Sequence, residues 1–206
     1  MPTTALVLNT ASTTARIVAA TAQPTVSVLI VNYRTADLTI AAVESALAQP
    51  EATEIIVVDN ASGDDSFERL TTQFRHEHTV RVVASPRNRG FGAGNNLAAR
   101  SATGDLLFLL NSDAQLHPNA LAALVTQRQA EERTCIIAPF IQAGSGTGLQ
   151  VDALGPFPTA RRIITQQTKR YGTSLTPDWV SGCALMIDRA LFEQIGGFDE
   201  RIFMYT

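Results

Sequence analysis

The sequence predicts an α/β fold with a mostly parallel sheet flanked by helices, and three observations support this. Short runs of β-branched and aliphatic residues alternate with longer segments whose apolar residues recur at helical spacing. One of the short runs, Leu106–Leu110, is entirely apolar, as expected for a central strand covered on both faces. Polar residues follow several of these runs directly, and open parallel sheets bind ligands beyond the carboxyl ends of their strands.

Six segments are predicted as strands because each is short, apolar and rich in β-branched or aliphatic residues. They are Val26–Asn32, Glu54–Asp59, Val80–Ala84, Leu106–Leu110, Cys135–Ala138 and Ala184–Ile187.

Helices are predicted between the strands. Thr35 is a candidate N-cap, Pro50 closes the first helix, and Pro118 is favourable at a helix start. The predicted helices lie between Thr35 and Pro50, through Phe67, Leu70 and Phe74, from Asn96 to Ala102, from Pro118 to Glu132, and from Arg189 to Ile195.

Length and composition are those of one globular domain. The chain has 206 residues, of which 45% are hydrophobic and 17% charged, and its net charge of −3 gives no reason to expect nucleic-acid binding. No apolar run reaches the roughly 18 residues of a transmembrane helix. We predict a mobile leader over residues 1–24, with a first strand through Ala5–Leu8 as the alternative, and a single domain over 25–206. Cys135 and Cys183 are isolated, as expected of buried thiols in a reducing compartment.

Candidate binding residues fall at the predicted strand ends, at Asn32, Asp59, Asn88 and Asp113. A carboxylate at Asp59 is suited to accept hydrogen bonds from a ribose or a base N–H group. The alternative is that Asp59 initiates a turn in the sequence Asp-Asn-Ala-Ser.

The segment Asn88–Asn96, with the sequence NRGFGAGNN, follows the third strand as a glycine-rich loop. Three alternating glycines let the backbone approach a ligand and expose N–H groups to an anion. The spacing does not match GxGxxG, and no P-loop motif is present. A flexible turn is the alternative interpretation.

Two further segments contain candidate site residues. Asp113, in Asn111-Ser112-Asp113, emerges from an apolar strand and is suited to a hard divalent cation, whereas the alternative is a turn or capping residue. Trp179 precedes the small residues Ser181 and Gly182 and is either a sugar-stacking wall or a core residue.

These segments together resemble family 2 inverting glycosyltransferases of the GT-A fold, in their rhamnosyltransferase-like branch. The matching segments, in order, are Val28–Tyr33, Ile56–Ser62, Asn88–Asn96, Leu109–Asp113, Ser181–Ile187 and Gly196–Glu200.

The resemblance implies a nucleotide-diphosphate sugar donor, with dTDP-rhamnose as the candidate, and a divalent ion, Mg²⁺ or Mn²⁺, on the diphosphate. Asp113 matches the last acid of the family's DxD-like motif and is the implied metal ligand, while Asn111 replaces the first acid. The implied nucleotide-binding residues are Asn32, Asp59, Asn88, Gly90, Asn95 and Asn111. Trp179 and Gly182 are implied on the sugar and acceptor side.

The resemblance also implies a carboxylate base that deprotonates the acceptor hydroxyl, which then attacks the anomeric carbon with inversion. In the family this base is the Asp of a Glu-Asp pair that follows one residue after a Phe-x-Tyr segment, which here is Phe203–Tyr205. Thr206 fills the spacer, so the base is expected beyond Thr206, no catalytic residue is assigned, and we expect truncation before the acceptor-side helices. The apolar residues Ile202–Tyr205 then predict self-association.

The implied acceptor is a glycan or a lipid-linked glycan, which predicts a cytoplasmic protein with peripheral association at the inner face of the membrane. Two alternatives stay open at this point. One is a non-catalytic or vestigial module that binds sugar nucleotides. The other is a Rossmann-type nicotinamide enzyme, which shares the strand–helix alternation but has its glycine-rich loop after the first strand.

Overall fold

A computed structural model describes residues 23–131, 136–142, 154–155 and 178–204. Several predictions lie outside these residues. They are the leader up to residue 22 with its alternative strand at Ala5–Leu8, Cys135, most of the stretch from 144 to 176, Tyr205 and Thr206.

The described elements alternate between strands and helices, as predicted. In chain order they are β1 Val26–Asn32, α1 Ala36–Leu47, β2 Ala52–Asp59, α2 Ser66–Gln73, β3 Val80–Ala84, α3 Gly90–Ala99, β4 Leu106–Asn111, α4 Ala120–Ala130, β5 Ile136–Ile137, β6 Leu154–Gly155, β7 Trp179–Val180, β8 Ala184–Asp188 and α5 Arg189–Gln194.

Six strands form one sheet in the order β3-β2-β1-β4-β8-β5. The pairs β3–β2, β2–β1 and β1–β4 are parallel, whereas β8 runs antiparallel to both of its neighbours. The strands β6 and β7 form a separate antiparallel pair. The predicted mostly parallel sheet is therefore confirmed.

Two apolar clusters cover the two faces of this sheet. Val28 and Ile30 of β1 pack on one face with residues of α1, α2 and α4. Leu29, between them, packs on the other face with Ala98 of α3 and Phe192 of α5. Successive side chains of a strand point to opposite faces, so a strand covered on both sides must be apolar throughout. The strand β4 lies between β1 and β8, and its residues alternate between the same two clusters, which confirms the prediction that this apolar strand is central.

The third helix differs from its prediction, which placed a loop before a helix at Asn96–Ala102. The glycine-rich stretch is itself the start of the helix, because α3 begins at Gly90. A Cβ atom on Gly94 would lie 2.7 Å from Cγ1 of Val31, so the missing side chain lets α3 pack closely on β1. The glycines therefore serve helix packing here, in addition to any ligand contact.

The predicted limits of two other elements are also corrected. The helix α4 begins after Pro118, at Ala120, because Asn119 adopts the left-handed φ of 64° that helical residues do not use. The fifth strand, Ile136–Ile137 among the described residues, ends at Ile137 and not at the predicted Ala138, while the predicted start at Cys135 lies outside the described residues. In the part of the chain that the structure describes, no helix is long and apolar enough to cross a membrane.

Candidate functional site

The carboxyl ends of β1, β2 and β4 lie side by side at one edge of the sheet. In the strand register Asn32 pairs with Asp59, and Val31 pairs with Asn111. The residues that follow these strands therefore share one edge. The sequence predicted this convergence, and the register of the parallel strands produces it.

A buried hydrogen-bond network surrounds Asp59, which is 5% exposed. Its Oδ1 atom accepts hydrogen bonds from Nδ2 of Asn32 at 2.7 Å and from Oγ of Ser62 at 2.5 Å. Its Oδ2 atom accepts a longer bond of 3.2 Å from the backbone N–H of Ser62. Asp59 therefore both begins the turn after β2, as the alternative interpretation proposed, and retains acceptor capacity on Oδ2.

The carbonyl oxygen of the Asn32 side chain extends the network toward β4. It accepts hydrogen bonds from Oγ1 of Thr39 at 2.8 Å and from Oγ1 of Thr35 at 3.2 Å. The Thr35 hydroxyl also lies 3.2 Å from Oγ of Ser112, the residue between Asn111 and Asp113. Thr35 is the N-cap residue of α1, as predicted, but its side chain joins two strand ends and makes no capping hydrogen bond.

Two residues beside this network have positive φ angles, in the left-handed region that residues with a Cβ atom rarely adopt. They are Arg34, with φ of 57°, and Ala61, with φ of 56°. Arg34 donates its backbone N–H to Oγ of Ser62 and its Nε–H to the Ser62 carbonyl, at 2.9 and 2.8 Å. These bonds join the loops after β1 and β2 and hold both strained residues in place. Such strain is concentrated at functional sites in proteins.

Asn60 connects the same edge to the start of α3. Its Nδ2 group donates to Oδ1 of Asn88 at 3.0 Å and to the Gly90 carbonyl at 3.1 Å. Oδ1 of Asn88 also accepts the Gly90 N–H at 2.9 Å. The Oδ1 atom of Asn60 is buried and accepts no hydrogen bond from the described residues. Asn60 is not among the predicted site residues, although its position after Asp59 at a strand end was an available signal.

Asp113 is exposed at the end of β4, where Nδ2 of Asn111 donates to its Oδ1 atom at 2.8 Å. Burial raises the pKa of the nearby Cys183 thiol, and the Asp113 carboxylate raises it further. No group of three His, Cys, Asp or Glu side chains suited to a metal occurs among residues 23–131, 136–142 and 178–204. One exposed carboxylate still fits Mg²⁺ or Mn²⁺, since such ions use one or two carboxylates together with substrate phosphates and water.

The other predicted site residues are placed differently. Asn95 is buried within α3 and donates its side-chain amide to the carbonyl of Phe91. A Cβ atom on Gly182 would lie 3.1 Å from the Phe91 ring, so Gly182 gives that ring its space. Trp179 is 38% exposed on β7, which pairs with β6 outside the main sheet.

The geometry at the strand ends agrees with a sequence comparison. The profile of glycosyl transferase family 2 matches residues 27–196, which include all of the main sheet except Val26, the first residue of β1. This chain belongs to glycosyl transferase family 2. The family predicted from the resemblance is therefore confirmed.

Curated relatives act on glycans according to their names. An N-acetylglucosaminyl-diphospho-decaprenol L-rhamnosyltransferase of Mycobacterium tuberculosis is 26% identical over 185 residues, covering 77% of this chain and 59% of that protein. The low-salt glycan biosynthesis hexosyltransferase Agl10 of Haloferax volcanii is 28% identical over 186 residues, covering 87% of this chain and 57% of that protein. The chain thus spans little more than half the length of these relatives.

Solved structures show that the fold is of the GT-A type. The mannosyltransferase PcManGT from Pyrobaculum calidifontis, in complex with GDP-Man and Mn²⁺, has a TM-score of 0.65 at 20% identity, covering 88% of this chain and 49% of that one. S. aureus TarS in complex with UDP-GlcNAc has a TM-score of 0.59 at 16% identity, covering 84% of this chain and 47% of that one. The predicted GT-A fold is confirmed.

Proposed function

We propose that this chain binds a nucleotide-diphosphate sugar at the ends of β1, β2 and β4 and contributes the donor side of an inverting sugar transfer. The observation that carries the proposal is the chain of hydrogen bonds from Asp59 through Asn32 and Thr35 to Ser112. It links the strand end of Asp59 to Ser112, next to Asp113, which lies 54 residues after Asp59 in sequence. A donor with its base at the first strand end and its diphosphate at the second fits this arrangement.

Asp59 and Asn60 are the proposed contacts to the nucleoside. Oδ2 of Asp59 has acceptor capacity for a base N–H or a ribose hydroxyl. Oδ1 of Asn60, which has no hydrogen-bond partner among the described residues, can accept another such group. A buried acceptor without a donor is unfavourable by about 1–3 kcal/mol, so a ligand or a water that donates to Asn60 is favoured. Asn88 and Gly90 contribute by holding Asn60 in this orientation.

Asp113 is the proposed ligand of Mg²⁺ or Mn²⁺, with Asn111 orienting its carboxylate through the 2.8 Å hydrogen bond. A bound divalent ion would stabilise the negative charge that develops on the leaving diphosphate. The Mn²⁺ in the PcManGT complex supports this role. Because the described residues supply one carboxylate, we expect the ion to bind together with the donor and weakly without it.

The proposal also names a donor and an acceptor. The name of the mycobacterial relative supports a rhamnosyl donor, dTDP-rhamnose, and a lipid-linked glycan acceptor, with Trp179 and Gly182 on the acceptor side. Such an acceptor would bring the protein to the inner face of the membrane. No described residue is proposed as the base that deprotonates the acceptor, and a chain that binds the donor without turning it over is the alternative function.

Calorimetry of the 206-residue chain with dTDP, UDP and GDP, each with and without Mn²⁺, tests the donor site. We expect one nucleotide to bind with metal dependence and to raise the melting temperature by about 5–10 °C at a hundredfold excess over Kd. Asp59→Asn should weaken this binding, whereas Asp105→Asn, at the opposite end of β4, should not. No binding of any nucleotide at millimolar concentration would refute the site.

Turnover separates the transferase from its alternatives. Release of the nucleoside diphosphate when a glycan acceptor is added to the bound nucleotide sugar, with the sugar joined to an acceptor hydroxyl in inverted configuration, supports the transferase. Metal-dependent binding without release supports the non-catalytic module. Tight binding of NADH, with no response to nucleoside diphosphates, would instead favour the nicotinamide enzyme.

A further inference from the structure

We propose that Asn96 is a positioning residue that holds the segment Gly197–Met204, named here the C-terminal segment, beside the donor site. The inference rests on the proposed function, because it concerns a segment that α3 holds next to the proposed donor site. Three sets of contacts between the segment and α3 support it.

The first set is a pair of hydrogen bonds from one side chain to one backbone residue. Oδ1 of Asn96 accepts the backbone N–H of Phe198 at 2.9 Å, and its Nδ2 group donates to the Phe198 carbonyl at 2.9 Å. Nδ2 also donates to Oε1 of Glu200 at 3.2 Å. Asn96 is 8% exposed, so both ends of its amide are committed to a segment 102 residues away in sequence. Few other side chains have a donor and an acceptor at this spacing.

The second set is steric, and it involves glycines on both sides of the contact. A Cβ atom on Gly92 would lie 2.8 Å from Cβ of Phe198, and one on Gly197 would lie 2.5 Å from Oδ1 of Asn96. On Gly90, where φ is 87°, it would lie 1.9 Å from the carbonyl oxygen of Phe203. The glycines of α3 therefore provide the space in which the segment lies.

The third set is electrostatic and is centred on Glu200. Its carboxylate lies 2.7 Å from Nη1 of Arg89 and 3.8 Å from Nη1 of Arg100. The hydrogen bond from Asn96 lowers the pKa of Glu200, and the charges of Arg89 and Arg100 lower it further. Glu200 is therefore ionised at neutral pH, when its charge holds the segment against the first and last turns of α3.

The first turn of α3 also joins this segment to the donor site. The Gly90 carbonyl accepts a hydrogen bond from Asn60, and the next N–H, that of Phe91, donates to the Phe203 carbonyl at 3.1 Å. This turn thus contacts Asn60, a proposed nucleoside-binding residue, on one side and the C-terminal segment on the other. Asn96 lies further along the helix and makes no hydrogen bond to Asp59, Asn60 or Asp113 in the part of the chain described. We expect it to affect placement of the segment and not donor affinity.

Asn96→Ala tests this inference with three measurements on the 206-residue chain, made well below its melting temperature. Hydrogen exchange at the amides of Phe198 and Phe91 should become at least about tenfold faster, while exchange in β1 stays unchanged. The Kd of the nucleotide with Mn²⁺ should change less than about twofold. Where the chain turns over its donor, release of nucleoside diphosphate should fall by about 10- to 100-fold, because a displaced segment would misplace groups near the donor and small misplacements have effects of this size.

The Arg89–Glu200 contact provides a conservative rescue. Arg89→Gln should accelerate exchange at Phe198 and reduce turnover, whereas Arg89→Lys, which keeps the charge, should restore most of both. Glu193→Gln is the matched control, because it removes a 2.8 Å ion pair with Arg189 that does not contact the segment.

The outcomes distinguish this inference from the proposed function. If the unaltered chain binds no nucleotide, the proposed function fails. If the unaltered chain binds nucleotide and Asn96→Ala reduces nucleotide affinity as strongly as it reduces turnover, Asn96 is a donor-site residue and the inference fails. Unchanged exchange at Phe198 overturns it as well. If the chain binds its donor without turnover, faster exchange at Phe198 in Asn96→Ala with an unchanged Kd supports the inference. Unchanged exchange or a raised Kd in this variant refutes it.

Discussion

Nδ2 of Asn32 donates a 2.7 Å hydrogen bond to Oδ1 of Asp59, and neither side chain is more than 5% exposed. Buried polar groups are tolerated where hydrogen bonds replace those to water. This bond spans two adjacent strands and fixes the carboxylate in one orientation. It thereby leaves Oδ2, with its single 3.2 Å bond, as the oxygen with capacity for a ligand.

Asn32→Ala should lower the free energy of unfolding by about 1–3 kcal/mol, because it removes a donor from the buried carboxylate of Asp59. Nucleotide affinity should fall as well, since Asp59 is no longer held in place. Urea unfolding and calorimetry measure the two effects. Thr126→Val is the control, because it removes a hydroxyl bonded only within α4 among the described residues and should change neither quantity. Unaltered stability would show that the network does not fix Asp59.

Asp113→Asn should abolish the metal dependence of nucleotide binding while leaving the fold intact, since Asp113 is exposed and supports no described core contact. Titration of the nucleotide with and without Mn²⁺ measures the effect. Asp105→Asn removes one carboxylate at the amino end of the same strand and should keep the full response to Mn²⁺. A variant at Asp113 that responds to Mn²⁺ like the unaltered chain would exclude Asp113 as the ligand.

The stability of the chain should depend on pH through Glu54. Burial raises the pKa of this carboxyl, but hydrogen bonds from Ser27, Thr103 and Gly104 outweigh burial and hold it below the ordinary value of 4.5. Because the pKa of Glu54 is lower in the folded state, its contribution to the free energy of unfolding is present above pH 4.5. This contribution is lost as the pH falls through the pKa of the folded state.

Glu54→Gln should therefore be less stable than the unaltered chain at pH 7 by about 1–3 kcal/mol, with the difference narrowing below pH 4.5. Urea unfolding over a pH series measures it. Comparing the two proteins isolates Glu54 from other acids that titrate in the same range. A difference that stays constant down to the acid end of the series would contradict this assignment.

Gly90→Ala should release Phe203 from α3, because the added Cβ atom would lie 1.9 Å from the Phe203 carbonyl oxygen. Faster hydrogen exchange at the Phe91 amide measures the release. Gly196→Ala is a matched control, since Gly196 has a similar φ of 83° and no atom within 4 Å of the added Cβ. Both variants carry backbone strain of roughly 1–2 kcal/mol, but only the first should expose Phe91. Equal hydrogen exchange at the Phe91 amide in the two variants would show that backbone strain, and not the contact with Phe203, causes the effect.

The sequence predicted the site edge better than the residues that complete it. The sequence predicted Asn32, Asp59 and Asn111 because each ends an apolar strand, where the change from apolar to polar residues is visible in the sequence. Asn60 was not predicted although it follows Asp59 at a strand end, because its hydrogen-bond partner Asn88 is 28 residues away. Asn96 was predicted only as part of the glycine-rich loop Asn88–Asn96, because its partner Phe198 is 102 residues away. The glycines of α3 were predicted as a loop, since local propensity disfavours glycine in a helix.

By itself the sequence determined the family, the alternating elements and the parallel sheet, because these depend on short-range periodicity and on the order of motifs along the chain. Only the tertiary structure decided which side chains meet: Thr35 with Ser112, Asn60 with Gly90, and Asn96 with Phe198. The physical reason is that strand register and helix packing set these distances. A glycine or an asparagine has the same local pattern whether it contacts a ligand or another part of the chain.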